Sequence, residues 1–174
     1  MQTQNLIKSK IREIPDWPKK GVSFKDITPL LLDKDIFRKT INLLAAPYSG
    51  EKIDKVVGID ARGFILAAAL AYKLKTGLAI VRKKGKLPAK TISQSYTLEY
   101  ASNILEMHED AILPDEKVLL IDDVLATGGT MKATIAMVRK LKGKVVGIEF
   151  LMELTYLNGK KNLKGYKIKS LVKY

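Results

Sequence analysis

Apolar and polar positions alternate along this chain in a rhythm that predicts strands and helices in turn. Short apolar runs predict buried strands over residues 55–59, 78–81, 117–121 and 144–151. Apolar side chains at helical spacing predict helices between them, the last over Thr130–Leu141. Because alternating strands and helices are joined by right-handed crossovers, the pattern predicts an α/β fold: a mainly parallel sheet flanked by helices.

The N-terminal region predicts two helices outside this repeat. Isoleucines at helical spacing predict a short helix over residues 5–14, and the segment 15–21, with two prolines and a glycine, ends it. Asp33 is predicted to cap a second helix that runs to about Ala46.

A long polar insertion, residues 83–114, separates the second and third predicted strands and is partly strand-like over 91–98 and 104–108. An insertion of this length at the carboxyl end of a strand is typical of a lid over a functional site. The tail, 163–174, predicts an edge strand. With 174 residues and no linker-like segment, the chain is predicted to form one domain, 1–174.

The composition excludes several kinds of site. The chain has no cysteine, which excludes disulfides, thiolate nucleophiles and zinc fingers and suits a reducing cytoplasm. Its single histidine, His108, excludes a metal site that needs two imidazoles. The longest apolar stretch, Gly63–Tyr72, is too short to cross a bilayer, and lysines interrupt any signal-peptide core. We therefore expect a cytoplasmic protein without a membrane partner.

The charge is strongly basic, with a formal net value of +13. Such a field concentrates anions, whether nucleic acid, anionic lipid or phosphorylated small molecules. Lysines spread over solvated faces account for the same number equally well. The charge therefore points to a ligand only if basic side chains converge on one site.

The segment 118–130 carries the clearest chemical signal. An apolar strand leads to Asp122 and Asp123, and a small-residue loop then opens directly into a helix. Amides of such a loop, with the helix N-terminus behind them, cradle a phosphate monoester, and paired carboxylates suit a ribose diol with a cation nearby. A generic strand–helix turn with a capping threonine is the alternative. The loop residues are Ala126, Thr127, Gly128, Gly129 and Thr130.

This segment resembles the 5-phosphoribosyl 1-pyrophosphate signature of type I phosphoribosyltransferases. Further blocks, in the same order along nearly the whole chain, resemble the adenine phosphoribosyltransferases. Ala101, Lys25 and Trp17 depart from the usual Gly, Arg and Phe of that family. The further blocks are residues 15–29, 58–64, 82–88, 95–100 and 153–154.

The resemblance implies the type I phosphoribosyltransferase fold, with a small N-terminal hood over about 1–32 and a flexible lid over about 83–114. The implied reaction moves the phosphoribosyl group from 5-phosphoribosyl 1-pyrophosphate to adenine, giving AMP and pyrophosphate in purine salvage. It also implies Mg²⁺, held through substrate and water rather than by a dedicated set of protein ligands, and a homodimer.

The resemblance assigns the donor site to residues that follow predicted strands. Asp122 and Asp123 would hold the ribose hydroxyls, and the loop 126–130 would hold the 5′-phosphate. Arg62 and three further basic residues would bind the pyrophosphate, and Tyr100 would close over the phosphates. The three further basic residues are Arg82, Lys83 and Lys86. A solvated basic loop is the alternative for these four cations.

The resemblance assigns adenine to the hood. Phe24 would stack on the base, the backbone of Ser23 and Lys25 would contact its edge, and Leu154 would pack on the other side. Glu99, in the lid, would take the proton that adenine loses at N9, because a carboxylate enclosed by a lid has a raised pKa. From the residues alone, Phe24 fits an ordinary core aromatic and Glu99 a solvated acid.

Two other functions remain in competition. One is a phosphoribosyltransferase for another base, such as hypoxanthine or orotate. The other is a regulatory protein on the same fold that senses the donor and binds nucleic acid with its basic surface. Since the sequence shows neither a paired-helix recognition unit nor a basic stripe interleaved with aromatics, we do not expect a nucleic-acid partner.

Overall fold

The structure is a computed structural model that describes residues 2–98 and 101–174. Its elements, in chain order, are α1 (Gln2–Ser9), β1 (Arg12–Ile14), β2 (Phe24–Asp26), α2 (Thr28–Leu32), α3 (Lys34–Ala45), β3 (Lys55–Ile59), α4 (Arg62–Leu74), β4 (Gly77–Lys83), β5 (Thr91–Leu98), β6 (Ala101–His108), β7 (Lys117–Leu125), α5 (Gly129–Lys140), β8 (Lys144–Glu153) and β9 (Ile168–Lys173). Short 3₁₀ turns follow α3 and β8.

Seven strands form the central sheet, in the order β5-β6-β4-β3-β7-β8-β9. The five strands from β4 to β9 in this order run parallel, and the hairpin β5-β6 joins β4 antiparallel. Alternate side chains of β7 enter two separate cores, Leu119 with α3 and α4 and Leu120 with α5. Helices therefore cover both faces of the sheet, which confirms the predicted fold class.

The acid-bearing strand is longer than predicted. We expected a strand over 117–121 with Asp122 and Asp123 in the loop behind it, but β7 continues to Leu125. The physical reason is the long neighbour β8, which pairs with β7 as far as Leu125, opposite Glu153. Both aspartates are therefore part of β7 and not of the loop that follows it.

The N-terminal prediction was wrong in one respect. The helix predicted over 5–14 ends at Ser9, and residues 12–14 form a strand that pairs antiparallel with β2. Ion pairs across the two strands favour this ribbon over a longer helix, since Arg12 meets Asp26 at 2.6 Å. We call the segment 12–26 the N-terminal ribbon.

Three further local predictions are confirmed: the cap at Asp33, strands within the polar insertion, and an edge strand in the tail, which begins at Ile168 rather than at residue 163. Asp33 caps α3, because its carboxylate accepts the amides of Asp35 and Ile36 at 3.2 and 3.1 Å. The polar insertion forms the hairpin β5-β6, and β9 lies at the sheet edge. Among residues 2–98 and 101–174, no helix is long and apolar enough to cross a bilayer.

Candidate active site

The two aspartates of β7 lie beside the first turn of α4. The Asp122 carboxylate accepts the Asp123 amide at 2.9 Å. A Cβ atom on Gly63 would lie 2.7 Å from the same carboxylate, so only glycine at this position lets α4 begin so close to it. Asp122 is half-buried and Asp123 is buried. The pair thus sits at the carboxyl end of the central strands, where parallel sheets bind their ligands.

Burial changes the protonation of this pair. Burial raises the pKa of Asp122 well above its ordinary value, and the neighbouring charge of Asp123 adds to the shift. Burial also raises the pKa of Asp123, although the Arg62 guanidinium opposes this shift. The pair therefore retains a proton more readily than two surface carboxylates do. Hydroxyl donors or a cation in the site would favour its ionised form.

Arg62, the first residue of α4, connects the acid pair to the N-terminal ribbon. Its guanidinium lies 2.7 Å from the Asp123 carboxylate, in a geometry too bent for a hydrogen bond. It donates a hydrogen bond to the Lys25 carbonyl at 3.0 Å and lies 4.7 Å from the centre of the Phe24 ring. One side chain thus touches the strand that carries the acids and the strand that carries the aromatic ring.

The loop 126–130 is shaped by a turn near the end of the chain. Gly128 has a φ of +81° and precedes the first residue of α5. A Cβ atom on Gly128 would lie 2.6 Å from the Gly159 carbonyl, and Asn162 donates to the Thr127 carbonyl at 2.8 Å. Because the first amides of a helix have no acceptor within it, those of α5 are available to an anion in this loop.

The basic residues at the carboxyl end of β4 lie at the same edge of the sheet. Arg82 and Lys83 are the last two residues of this strand, which is longer than the predicted 78–81. Arg82 pairs with Asp60 at 2.9 Å and donates to the Lys86 carbonyl at 3.1 Å. Lys83 and Lys86 are exposed. Asp60 follows β3 directly, two residues before Arg62. The structure therefore brings Arg82 to the turn that precedes Arg62.

The aromatic ring of the N-terminal ribbon is accessible. Phe24 is half-buried rather than enclosed in the core, and Trp17 packs against it edge-on with 4.4 Å between ring centres. Leu154 follows β8, is half-buried, and donates its amide to the Leu125 carbonyl at 2.9 Å. Leu154 is thus anchored to the end of the strand that carries the two aspartates.

Comparison with known proteins decides the family. A family model for the phosphoribosyl transferase domain matches residues 31–172. An adenine phosphoribosyltransferase of Geobacter metallireducens is 58% identical over 168 residues, which cover 97% of this chain and 98% of the relative. The chain belongs to the adenine phosphoribosyltransferase family.

Two solved structures of adenine phosphoribosyltransferases match this fold over nearly their whole length. One from Thermoanaerobacter pseudethanolicus is 51% identical with a TM-score of 0.95, covering 98% of this chain and 99% of that one. One from Saccharomyces cerevisiae, complexed with an imino-altritol bisphosphate and adenine, is 32% identical with a TM-score of 0.92, covering 98% of each chain. The resemblance noted from the sequence is therefore confirmed.

The structure brings together only part of the predicted phosphoribosyltransferase site. Asp122, Asp123, Arg62 and Phe24 form one connected group beside the loop 126–130. Glu99 and Tyr100 lie outside the described residues. The roles assigned to these side chains stay predictions.

Two residues near this site were missed in the sequence. Gly159 and Asn162 brace the loop 126–130 from a distant part of the chain. The only available signal was the Asn158-Gly159 turn, which predicts a reversal of the chain and not what it contacts.

The hairpin β5-β6 packs on α5. Lys140 donates to the Ser93 carbonyl at 3.1 Å. The Tyr96 ring lies so close to Gly129 that a Cβ atom there would be 3.3 Å from it. The hairpin therefore contacts the N-terminal end of α5, where the loop 126–130 leads into the helix.

The side chains present fit magnesium only as an ion shared with a substrate. Among the described residues, no group of three or more His, Cys, Asp or Glu side chains is arranged to hold a metal. The adjacent Asp122 and Asp123 offer carboxylate oxygens near the end of β7, shortly before the loop 126–130. Mg²⁺ prefers oxygen ligands and is commonly bound through one or two carboxylates with substrate phosphates and water.

Proposed function

We propose that the cleft between the N-terminal ribbon, the start of α4 and the loop 126–130 is the catalytic site. There the chain transfers the 5-phosphoribosyl group of 5-phosphoribosyl 1-pyrophosphate to adenine, giving AMP and pyrophosphate, a purine salvage reaction. The observation that carries this proposal is the aspartate pair beside the loop that leads into α5, linked through Arg62 to an accessible aromatic ring. The family of its relatives supports adenine as the base.

The loop 126–130 holds the 5′-phosphate in this proposal. Its amides and those of the first turn of α5 donate to the phosphate oxygens, and the Thr127 and Thr130 hydroxyls add two donors. Asp122 and Asp123 accept hydrogen bonds from the ribose hydroxyls. Those donors favour the ionised carboxylates, which stabilise the positive charge that develops on the ribose in the transition state.

The leaving pyrophosphate needs cations on its side of the ribose. The bond between the anomeric carbon and the pyrophosphate oxygen breaks, and the leaving oxygen takes the electron pair. Arg62 and Arg82 exchange their aspartate partners for phosphate oxygens, with Lys83, Lys86 and Tyr100 completing this group. Mg²⁺, when bound with the donor, neutralises part of the pyrophosphate charge.

The base lies against Phe24 in this proposal. The backbone of Ser23 and Lys25 contacts its edge, and Leu154 packs on the opposite side. N9 of adenine forms the new bond to the anomeric carbon and loses its proton, which Glu99 accepts. Two segments enclose the cleft, the hood (about 1–32) and the lid (about 83–114).

We also propose a homodimer in the cytoplasm. Ile65, Ala68 and Tyr72 form an exposed, mostly apolar face on α4, and such a face suits a second copy of the chain. The cytoplasmic location is an expectation from the sequence, and its test is fractionation of the source cells against a cytosolic marker.

An assay of base preference tests the central proposal. The protein is mixed with Mg²⁺, the phosphoribosyl donor and adenine, hypoxanthine or guanine in separate reactions, and nucleotide formation is followed. We expect AMP formation to dominate. Preference for another base would refute the base assignment, and saturable duplex binding at physiological salt without any turnover would favour the regulatory alternative.

A further inference from the structure

Tyr174 lies beneath the N-terminal ribbon although it is distant in sequence. The ammonium groups of Lys25 and Lys8 lie 4.5 and 4.3 Å from the centre of its ring. The Tyr174 backbone is fixed to the end of β8, because its amide donates to the Glu153 carbonyl and its carbonyl accepts the Thr155 amide, both at 2.9 Å. The ring is therefore anchored to the central sheet.

The Lys25 side chain is held from two sides. It is only 8% exposed, and its ammonium lies 2.6 Å from the Glu13 carboxylate. It also donates to the Ser23 hydroxyl at 3.1 Å. A buried ammonium is stable only when partners compensate its lost hydration, and here the Glu13 carboxylate and the Tyr174 ring do so.

The backbone of Lys25 lies beside the proposed catalytic cleft. The Lys25 carbonyl accepts the Arg62 hydrogen bond at 3.0 Å, and the preceding residue is Phe24. Fixing the Lys25 side chain therefore fixes the main chain of β2. In the proposed function this main chain contacts the edge of the base.

We propose that Tyr174 is a positioning residue for the base: its ring, acting through the Lys25 ammonium, holds β2 in place for adenine. This inference rests on the proposed function. The ring and not the hydroxyl acts, since within the described residues the Tyr174 hydroxyl is buried and makes no hydrogen bond. Loss of the ring loosens the base site and leaves the loop 126–130 unchanged.

The test compares Tyr174→Leu with Tyr174→Phe. We expect Tyr174→Leu to raise KM for adenine about tenfold, a change within the range of a buried cation–ring contact. KM for the phosphoribosyl donor should stay unchanged, and Tyr174→Phe should restore the original KM for adenine. Tyr156→Leu, which alters an exposed tyrosine just after β8, is the matched control and should leave both KM values unchanged.

A direct binding measurement makes the test independent of turnover. Trp17 is the only tryptophan and contacts Phe24, so its fluorescence reports adenine on that ring. We expect Kd for adenine to rise with Tyr174→Leu and equally with Lys25→Met, and the double variant to be no weaker than either. This non-additivity would show that the two residues act as one unit.

Several results would overturn the inference. They are an unchanged KM and Kd for adenine in Tyr174→Leu, an equal rise in KM for both substrates, or a Tyr174→Phe variant as impaired as Tyr174→Leu. If Tyr174→Leu does not fold, the test uses Tyr174→Phe and Lys25→Met. A normal Kd for adenine in Lys25→Met then contradicts the proposal. Absence of adenine turnover by the unaltered protein would refute the proposed function instead.

Discussion

Arg62 and Asp123 form the contact on which the proposed chemistry most depends. The guanidinium lies 2.7 Å from a buried carboxylate and also reaches the N-terminal ribbon. Arg62 is half-buried, and Asp123 lies near the carboxyl end of β7, where its carboxylate faces this guanidinium. Substitution of either should therefore affect catalysis far more than folding.

We expect Asp123→Asn and Arg62→Ala each to lower kcat/KM about a hundredfold or more, because each removes charge that stabilises the transition state. The midpoint of thermal unfolding should change little. Steady-state kinetics and calorimetry measure the two effects. Asp115→Asn, which alters an exposed carboxylate paired with Lys144, is the control. Near-normal turnover in either site variant would remove its role.

Single residues were predictable from the sequence where the signal is local. The order of strand, two acids, glycine pair and helix indicated the phosphate site because each part lies within thirteen residues, 118–130. The partners of these residues were not predictable. The Asn162 side chain donates to the Thr127 carbonyl, and the Lys25 carbonyl accepts from Arg62. Folding brings these partners together, and no pattern in the sequence marks such contacts.

At the scale of elements, β8 carries an unusual side chain into the core. Glu149 is fully buried and accepts a hydrogen bond from the Tyr48 hydroxyl at 3.0 Å, which ties the turn after α3 to the sheet. Its second carboxylate oxygen is buried and has no hydrogen-bond partner among the described residues. Burial raises the pKa of Glu149 to about 7.

This burial predicts a pH-dependent stability. Because the pKa is higher in the folded than in the unfolded chain, the stabilisation is full below about pH 4.5 and is lost as pH rises through about 7. We expect the free energy of unfolding to fall by roughly 2–3 kcal/mol between pH 5 and pH 8 from this group. Urea titrations at both values measure it.

The variant Glu149→Gln should flatten this dependence, since an amide does not ionise and still accepts the Tyr48 hydrogen bond. Glu109→Gln, at an exposed position, should leave it unchanged. An equal pH slope in Glu149→Gln and the unaltered protein would contradict the assignment.

The predicted bounds of an element agree with the structure where the periodicity of its own residues determines it. The helices α3 and α5 and the strands β3 and β4 lie within a few residues of the predicted ranges. The ribbon strands β1 and β2 and the end of β7 were not predicted, because these segments become strands by pairing with neighbouring strands. Such pairing depends on contacts between distant segments.

At the scale of the whole molecule, the exposed face of α4 points to assembly. Tyr72 is 89% exposed and Ile65 43%, although both are large and mostly apolar. A face of this kind on a charged surface is typical of an interface. The sequence placed these residues on a helix but did not show which side of it the sheet covers.

We expect a molar mass near that of two chains by light scattering, and a shift toward one chain in Tyr72→Glu, because a buried unpaired charge opposes association. Leu113→Glu, at another exposed apolar position, is the control and should remain dimeric. A mass near 19.4 kDa for the unaltered protein would contradict the homodimer.

The bridge that Arg62 makes between the Lys25 carbonyl and Asp123 has a thermodynamic consequence for substrate binding. In the proposed function the donor pyrophosphate takes the guanidinium from Asp123, so binding of the donor breaks this bridge. Because the same guanidinium holds the Lys25 carbonyl beside the base, its movement changes the free energy of adenine binding, and by reciprocity adenine changes the affinity for the donor by the same factor. Energetic coupling between two unlike molecules is thus a property of one guanidinium.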